Sequence, residues 1–130
     1  MMENLIRVAG VGVLLIVAVN FLVPRVFRYR ENIARCDRFF GQVFVIHAAY
    51  IIYTVLGMGL LCLWRPGFFL TTVEGRAMAG FMGVFWGVRV VVQFFYYDRE
   101  MMRRYPFWSV FFGVAFGALG GLFLWILCKP

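Results

Sequence analysis

VEGRAMAGFMGVFWGVRVVVQFFYYD, residues 73–98, reads as one helix long enough to cross a bilayer, with a single cation, Arg89, set inside its apolar run. A helix rising ~1.5 Å per residue needs ~20 mostly apolar residues to cross ~30 Å of hydrocarbon. No acidic residue lies between Arg76 and Asp98 to neutralise Arg89. A charged side chain in hydrocarbon costs at least ~2.5 to 3.5 kcal/mol on insertion scales, so an intramembrane arginine marks a pairing or ligand site.

Working outward, three more apolar stretches of the same length class lie at 5–23, 39–64 and 107–128, and the third span covers 73–97. Hydrophobic residues make up 64% of the 130, aromatics 20%, and mean hydropathy is +0.86, more apolar surface than a soluble domain of this size can bury in one core. Alternating ten-residue strands of a barrel are absent. The expected fold class is all-α: a four-transmembrane-helix antiparallel bundle in which residues 1–130 form a single integral membrane domain. The loops after spans two and three are short, so consecutive spans run antiparallel.

The net charge of +7 is distributed by topology, not as a nucleic-acid face. Arg25, Arg28, Arg30, Arg35 and Arg38 fall between spans one and two, and Arg99, Arg103 and Arg104 between spans three and four. The opposite side holds Arg7, Arg65, Arg76 and Lys129. The positive-inside rule then places both termini outside, N-out and C-out. Span one lacks a basic leader and an A-x-A-like cleavage site, so it reads as a retained anchor ending near Pro24.

Val26, Tyr29 and Ile33 of residues 24–38, with Phe40 just beyond, recur at helical spacing among arginines, which predicts an amphipathic extension of the second helix on the inner surface. Its five arginines against Glu31 and Asp37 leave +3, suited to anionic lipids of the inner leaflet. Thr71 and Glu74 have the spacing of a capping box for span three. Gly113, Gly117 and Gly121 on span four, and Gly80, Gly83 and Gly87 on span three, predict close helix contacts, within the bundle or in a homo-oligomer. On span three those glycines lie opposite Arg89, giving one tight face and one polar face.

Met82, Trp86, Arg89, Gln93 and Tyr96 form the polar stripe of span three, and His47, Tyr50 and Thr54 form one on span two. His47 and Arg89 each sit about eight residues from the Arg-rich side, ~12 Å of helix rise. The expectation is a cytosol-facing pocket lined by His47, Tyr50, Thr54, Trp86, Arg89, Gln93 and Tyr96. Its ligand would be an anionic small molecule, a quinone or a lipid headgroup. Snorkelling of Arg89 and purely structural hydrogen bonds are the competing readings. The three cysteines form no C-x-x-C and no metal set; a Cys62–Cys128 bridge stays open. A lone histidine does not specify haem, which would need Met82 or a second copy's histidine opposite it. There is no phosphate loop, H-E-x-x-H, intramembrane carboxylate or nucleophile beside the histidine. The cofactor stays open, and an enzyme is the less favoured class. The rival function is a small transporter or channel for an anion or proton.

Phe85-Trp86-Gly87-Val88-Arg89 through Gln93-Phe94-Phe95-Tyr96-Tyr97-Asp98, with Ile46-His47 early in span two, resembles the FW-x-x-R-x-x-x-Q-F-F-x-Y-D pattern of a family of small bacterial four-helix integral membrane proteins with no activity assigned. The resemblance covers about a quarter of the chain directly. It implies a bacterial cytoplasmic membrane location, a shared four-span layout by length, and a unit made of Trp86, Arg89, Gln93, Tyr96 and Asp98. Association with a larger membrane complex is compatible with such a protein.

Overall fold

Hydrocarbon offers a backbone no water, so an apolar chain must satisfy its amides within helices or a closed barrel. The structure, a computed structural model, describes residues 1–129. Among the described residues it is helix and turn, with no strand. The elements run α1 (Met2–Val26), α2 (Tyr29–Ala34), α3 (Arg38–Trp64), α4 (Phe68–Thr71), α5 (Val73–Val91), a π turn (Val92–Tyr96), α6 (Arg99–Arg104) and α7 (Pro106–Cys128). Four segments are long and apolar enough to cross a membrane: α1, α3, α5 with its π turn, and α7. The chain is thus an all-helical, multi-pass membrane protein, with spans within a few residues of those read from hydropathy.

Two compact units divide it, Met1–Pro66 and the part from Gly67 onward. In the first, α1 and α3 pack antiparallel through glycine. A Cβ added at Gly10 would stand 2.9 Å from the Cβ of Cys62 and 3.1 Å from the carbonyl oxygen of Gly59, and one at Gly59 would meet Leu14 and Val13. Backbones this close are the usual adhesive between membrane helices, where burial from lipid gains little. Ile6, Val13, Ile16, Val55, Met58 and Cys62 are buried around the contact.

In the second unit α5 and α7 pack antiparallel in a constant register. Gly80 meets Leu127, Gly83 meets Leu124, Gly120 meets the backbone of Gly87, and Gly113 meets the ring of Phe94. Within this unit the expected tight stripe on span four is therefore corrected. Gly117 and Gly121 have nothing within 4 Å of a built Cβ, and the closest backbone approach is at Gly120. Phe116, Leu119, Phe123 and Ile126 define the buried face, which carries Gly120 and leaves those two glycines off it. Nor does α5 have opposed tight and polar faces. Trp86 and Met82 are buried along with Gly83, so α7 covers the strip between the glycines and Arg89.

Three local expectations also change. α1 runs through Pro24 to Val26, because Pro removes one amide but two more residues still find acceptors, Phe27 N donating to the Val23 carbonyl. Residues 29–34 form a separate helix, not an extension of α3. Arg28 at φ 53° breaks the chain before α2, and Asp37, whose carboxylate accepts from Phe39 N at 2.9 Å, starts α3 afresh. The cap of α5 is Thr72, whose hydroxyl accepts from Gly75 N at 2.9 Å, one residue past the expected Thr71. Thr71 instead donates to the Gly67 carbonyl, and Gly75 lies so close to the Phe68 carbonyl that no Cβ fits there.

Neighbouring glycines provide the test of this packing. Gly10→Ala and Gly83→Ala force a methyl against backbone and should lower stability by about 1–3 kcal/mol. Gly12→Ala and Gly121→Ala face open space and should be neutral or stabilising by up to about 1 kcal/mol. Thermal melts of the four full-length variants in one detergent check the split.

Candidate functional site

Arg89 sits on α5 one turn before the π turn and is half-buried. Its guanidinium lies 5.1 Å from the centroid of the Phe116 ring on α7, and Nη1 donates to the Tyr97 hydroxyl at 3.3 Å. A cation over an aromatic face gains about 0.5–2 kcal/mol, more as water is excluded. Among the described residues no carboxylate lies within ion-pair distance of Arg89; the ion pair present is Arg28 with Glu31, at 3.8 Å and largely exposed. Asp98, the nearest acid in sequence, is engaged as the cap of α6, where its carboxylate accepts from Glu100 N at 3.0 Å.

Phe116 is shared. On α7 and α5 the rings of Trp108, Phe112, Phe116 and Trp86 follow one another at 6.1, 5.5 and 5.5 Å, with interplanar angles of 26°, 24° and 23°. Phe85 meets Trp86 edge-on at 5.0 Å. Such pairs contribute about 0.5–1.5 kcal/mol each beyond area burial, so the platform under Arg89 is rigid. Trp86 is 1% exposed, yet its indole Nε1 has no hydrogen-bond partner. A buried donor left unpaired costs about 1–3 kcal/mol. Gln93, at 7% exposure, is the buried polar residue of the described chain and lies within the π turn.

The π turn decides which tyrosine faces Arg89. In a regular α-helix position i+7 returns above i, which points Tyr96 toward Arg89. Tyr97 N bonds the Val92 carbonyl at 3.2 Å, five residues back, so the turn holds one residue more than an α turn. The following residues are set back by one place, and the hydroxyl at Arg89 is that of Tyr97. Tyr96 is 83% exposed. Phe116 and Tyr97 are the two partners absent from the sequence reading. The i, i+4, i+8 spacing of Trp108, Phe112 and Phe116 was a visible signal for the first; nothing in sequence announces the π turn that supplies the second.

His47, Tyr50 and Thr54 belong to the first unit and are exposed on α3. The side-chain polar groups of His47 and Thr54 are tied within their own helix. The Val43 carbonyl accepts from His47 Nδ1 at 2.8 Å, so that ring nitrogen carries a proton in this contact. The Tyr50 carbonyl accepts from the Thr54 hydroxyl at 2.9 Å. Within the second unit, Trp86 and Arg89 both meet Phe116, and Gln93 follows them in the π turn. No group of three or more His, Cys, Asp or Glu suited to a metal occurs among the described residues, and all three cysteines are free thiols.

No family model matches the chain, and no curated protein or solved structure matches it.

The shared ring sets an order of sensitivity. Phe116→Leu removes both the face under Arg89 and the stack on Trp86, and should cost about 1–3 kcal/mol. Tyr97→Phe removes one hydroxyl bond and should cost about 0.5–1.5 kcal/mol. Melts of both variants, with tryptophan emission reporting the Trp86 environment, check the ranking.

Proposed function

We propose that this multi-pass protein resides in a bacterial cytoplasmic membrane and holds an acceptor-bearing amphiphile at Arg89, as a non-catalytic binding module or a subunit of a larger membrane complex. The ligand class is an anionic small molecule, a quinone or a lipid headgroup. The observation that carries this reading is a half-buried guanidinium in a span, supported by one ring face and one hydroxyl and lacking a carboxylate. A guanidinium presents five N–H donors in a planar fork, suited to two oxygens of a carboxylate or phosphate at once. The guanidinium carbon lies over the Phe116 ring and one Nη1 hydrogen goes to Tyr97, leaving further N–H donors for a ligand. The unpartnered donor of Trp86 adds to a site rich in donors and poor in acids.

Native mass spectrometry of the full chain in mild detergent tests it. Wild type should carry a non-protein mass that Arg89→Ala loses and Arg89→Lys retains weakly, because an ammonium keeps the charge without the fork. Bare protein in every sample would overturn the ligand reading and leave Arg89 as a structural cation.

Orientation is part of the same proposal, supported by eight arginines flanking one side against three arginines and a lysine on the other. Cys36 and Cys128 are exposed and Cys62 is buried, so the native thiols report topology. A membrane-impermeant maleimide applied to intact cells should label Cys128 and spare Cys36, with Cys36→Ser and Cys128→Ser assigning the signal. Labelling of Cys36 alone would invert the orientation.

A further inference from the structure

The strongest feature outside the Arg89 site is where α2 folds back along the first turns of α3. Arg28, in the left-handed conformation, turns the chain, and the Asp37 cap turns it again. α2 is then pinned at two points. Ile33 packs on Gly41, where an added Cβ would stand 2.8 Å from its Cγ2, and Tyr29 meets Phe44 edge-on at 5.6 Å. Beside these contacts runs an open groove of about 820 Å³, in the ~300–1,000 Å³ range of small-molecule sites.

Its lining is graded along α3. Arg38 and Gln42 stand at the helix start, one turn apart, and Val45 and Ile46 lie one further turn in, with Ile33 of α2 on the facing wall. From Arg38 to Ile46 the helix rises ~12 Å, from a charged end into the apolar body of the span. Arg38 has no ion-pair partner among the described residues, and the neighbouring Asp37 carboxylate is committed to Phe39 N. Arg30 and Arg35 keep the surrounding segment positive.

We infer that this groove is a binding site for an anionic phospholipid, its phosphate on Arg38 and Gln42 and the start of one acyl chain along Ile33, Val45 and Ile46. Charge complementarity selects the occupant, because a cation at the rim of an apolar groove matches a headgroup carrying a phosphate and a tail. General attraction of a basic segment to an anionic leaflet acts on every arginine at about 1 kcal/mol each and names no site. The groove singles out Arg38.

Cys36 also lines the groove and is exposed, which provides a local reporter independent of Arg89. The full chain would be placed in nanodiscs of phosphatidylcholine alone or with phosphatidylglycerol, and alkylation of Cys36 by an uncharged maleimide followed. Phosphatidylglycerol should slow labelling several-fold in wild type and in Arg30→Gln, which keeps the groove, and should leave Arg38→Gln unchanged. Arg38 and Arg30 are exposed, so neither substitution disturbs the packed helices. Equal protection in both variants, or equal loss in both, would reduce the effect to diffuse attraction and overturn the site. Protection that rises with protein per disc and ignores lipid charge would assign the groove to a second copy and overturn it as well.

Discussion

Every backbone amide within hydrocarbon must find its acceptor inside the chain, and that constraint shapes the side chains as much as the helices. Asn20 donates to the Ile16 carbonyl, His47 to Val43, Thr54 to Tyr50, Thr71 to Gly67 and Thr72 to Phe68, each four residues back. One local geometry thus satisfies these side chains in both units without a partner helix. It also leaves helix adhesion to close backbone approach, which explains why Gly10, Gly59, Gly83 and Gly120 sit at the contacts.

Arg89 cannot use that solution, since one carbonyl does not answer five donors and a full charge. Its environment is correspondingly built from elsewhere: a ring from α7 and a hydroxyl delivered by an irregular turn. The π turn has a structural cost in helix regularity and gains a register change that no α-helix provides, carrying Tyr97 to the guanidinium. An element of this kind at the one intramembrane cation ties local irregularity to the site.

The parts of the fold governed by hydropathy and length were legible in sequence, because the four spans are one-dimensional properties. What depends on a single dihedral or a one-residue register was not. A left-handed Arg28 carries no sequence signal comparable to glycine, so α2 read as part of α3. The Thr71–Glu74 spacing pointed one residue early, because the hydroxyl that meets Gly75 N is that of Thr72. Gly113, Gly117 and Gly121 gave a clean period of four, yet the contact face follows the large buried residues and takes Gly120. For the site, the type of residue at Arg89 and Trp86 was evident, while Tyr97 and Phe116 required the turn and the partner helix.

The distribution of polar groups along each span bears on binding against conduction. A pathway needs polar or hydrated lining through the full thickness. On α5, residues 77–85 are alanine, methionine, glycine, phenylalanine and valine, and on α3 residues 55–64 carry no polar side chain beyond Cys62 and Trp64. His47, Arg89 and Gln93 fall in the halves nearer the arginine-rich segments, and Thr54 stands just past the middle of α3. A charge that reaches Arg89 from that side meets an apolar half-span beyond it, a barrier of the order that insertion of the same charge would cost. Such a profile suits a ligand that enters, is held by its oxygens and keeps its apolar part in the membrane.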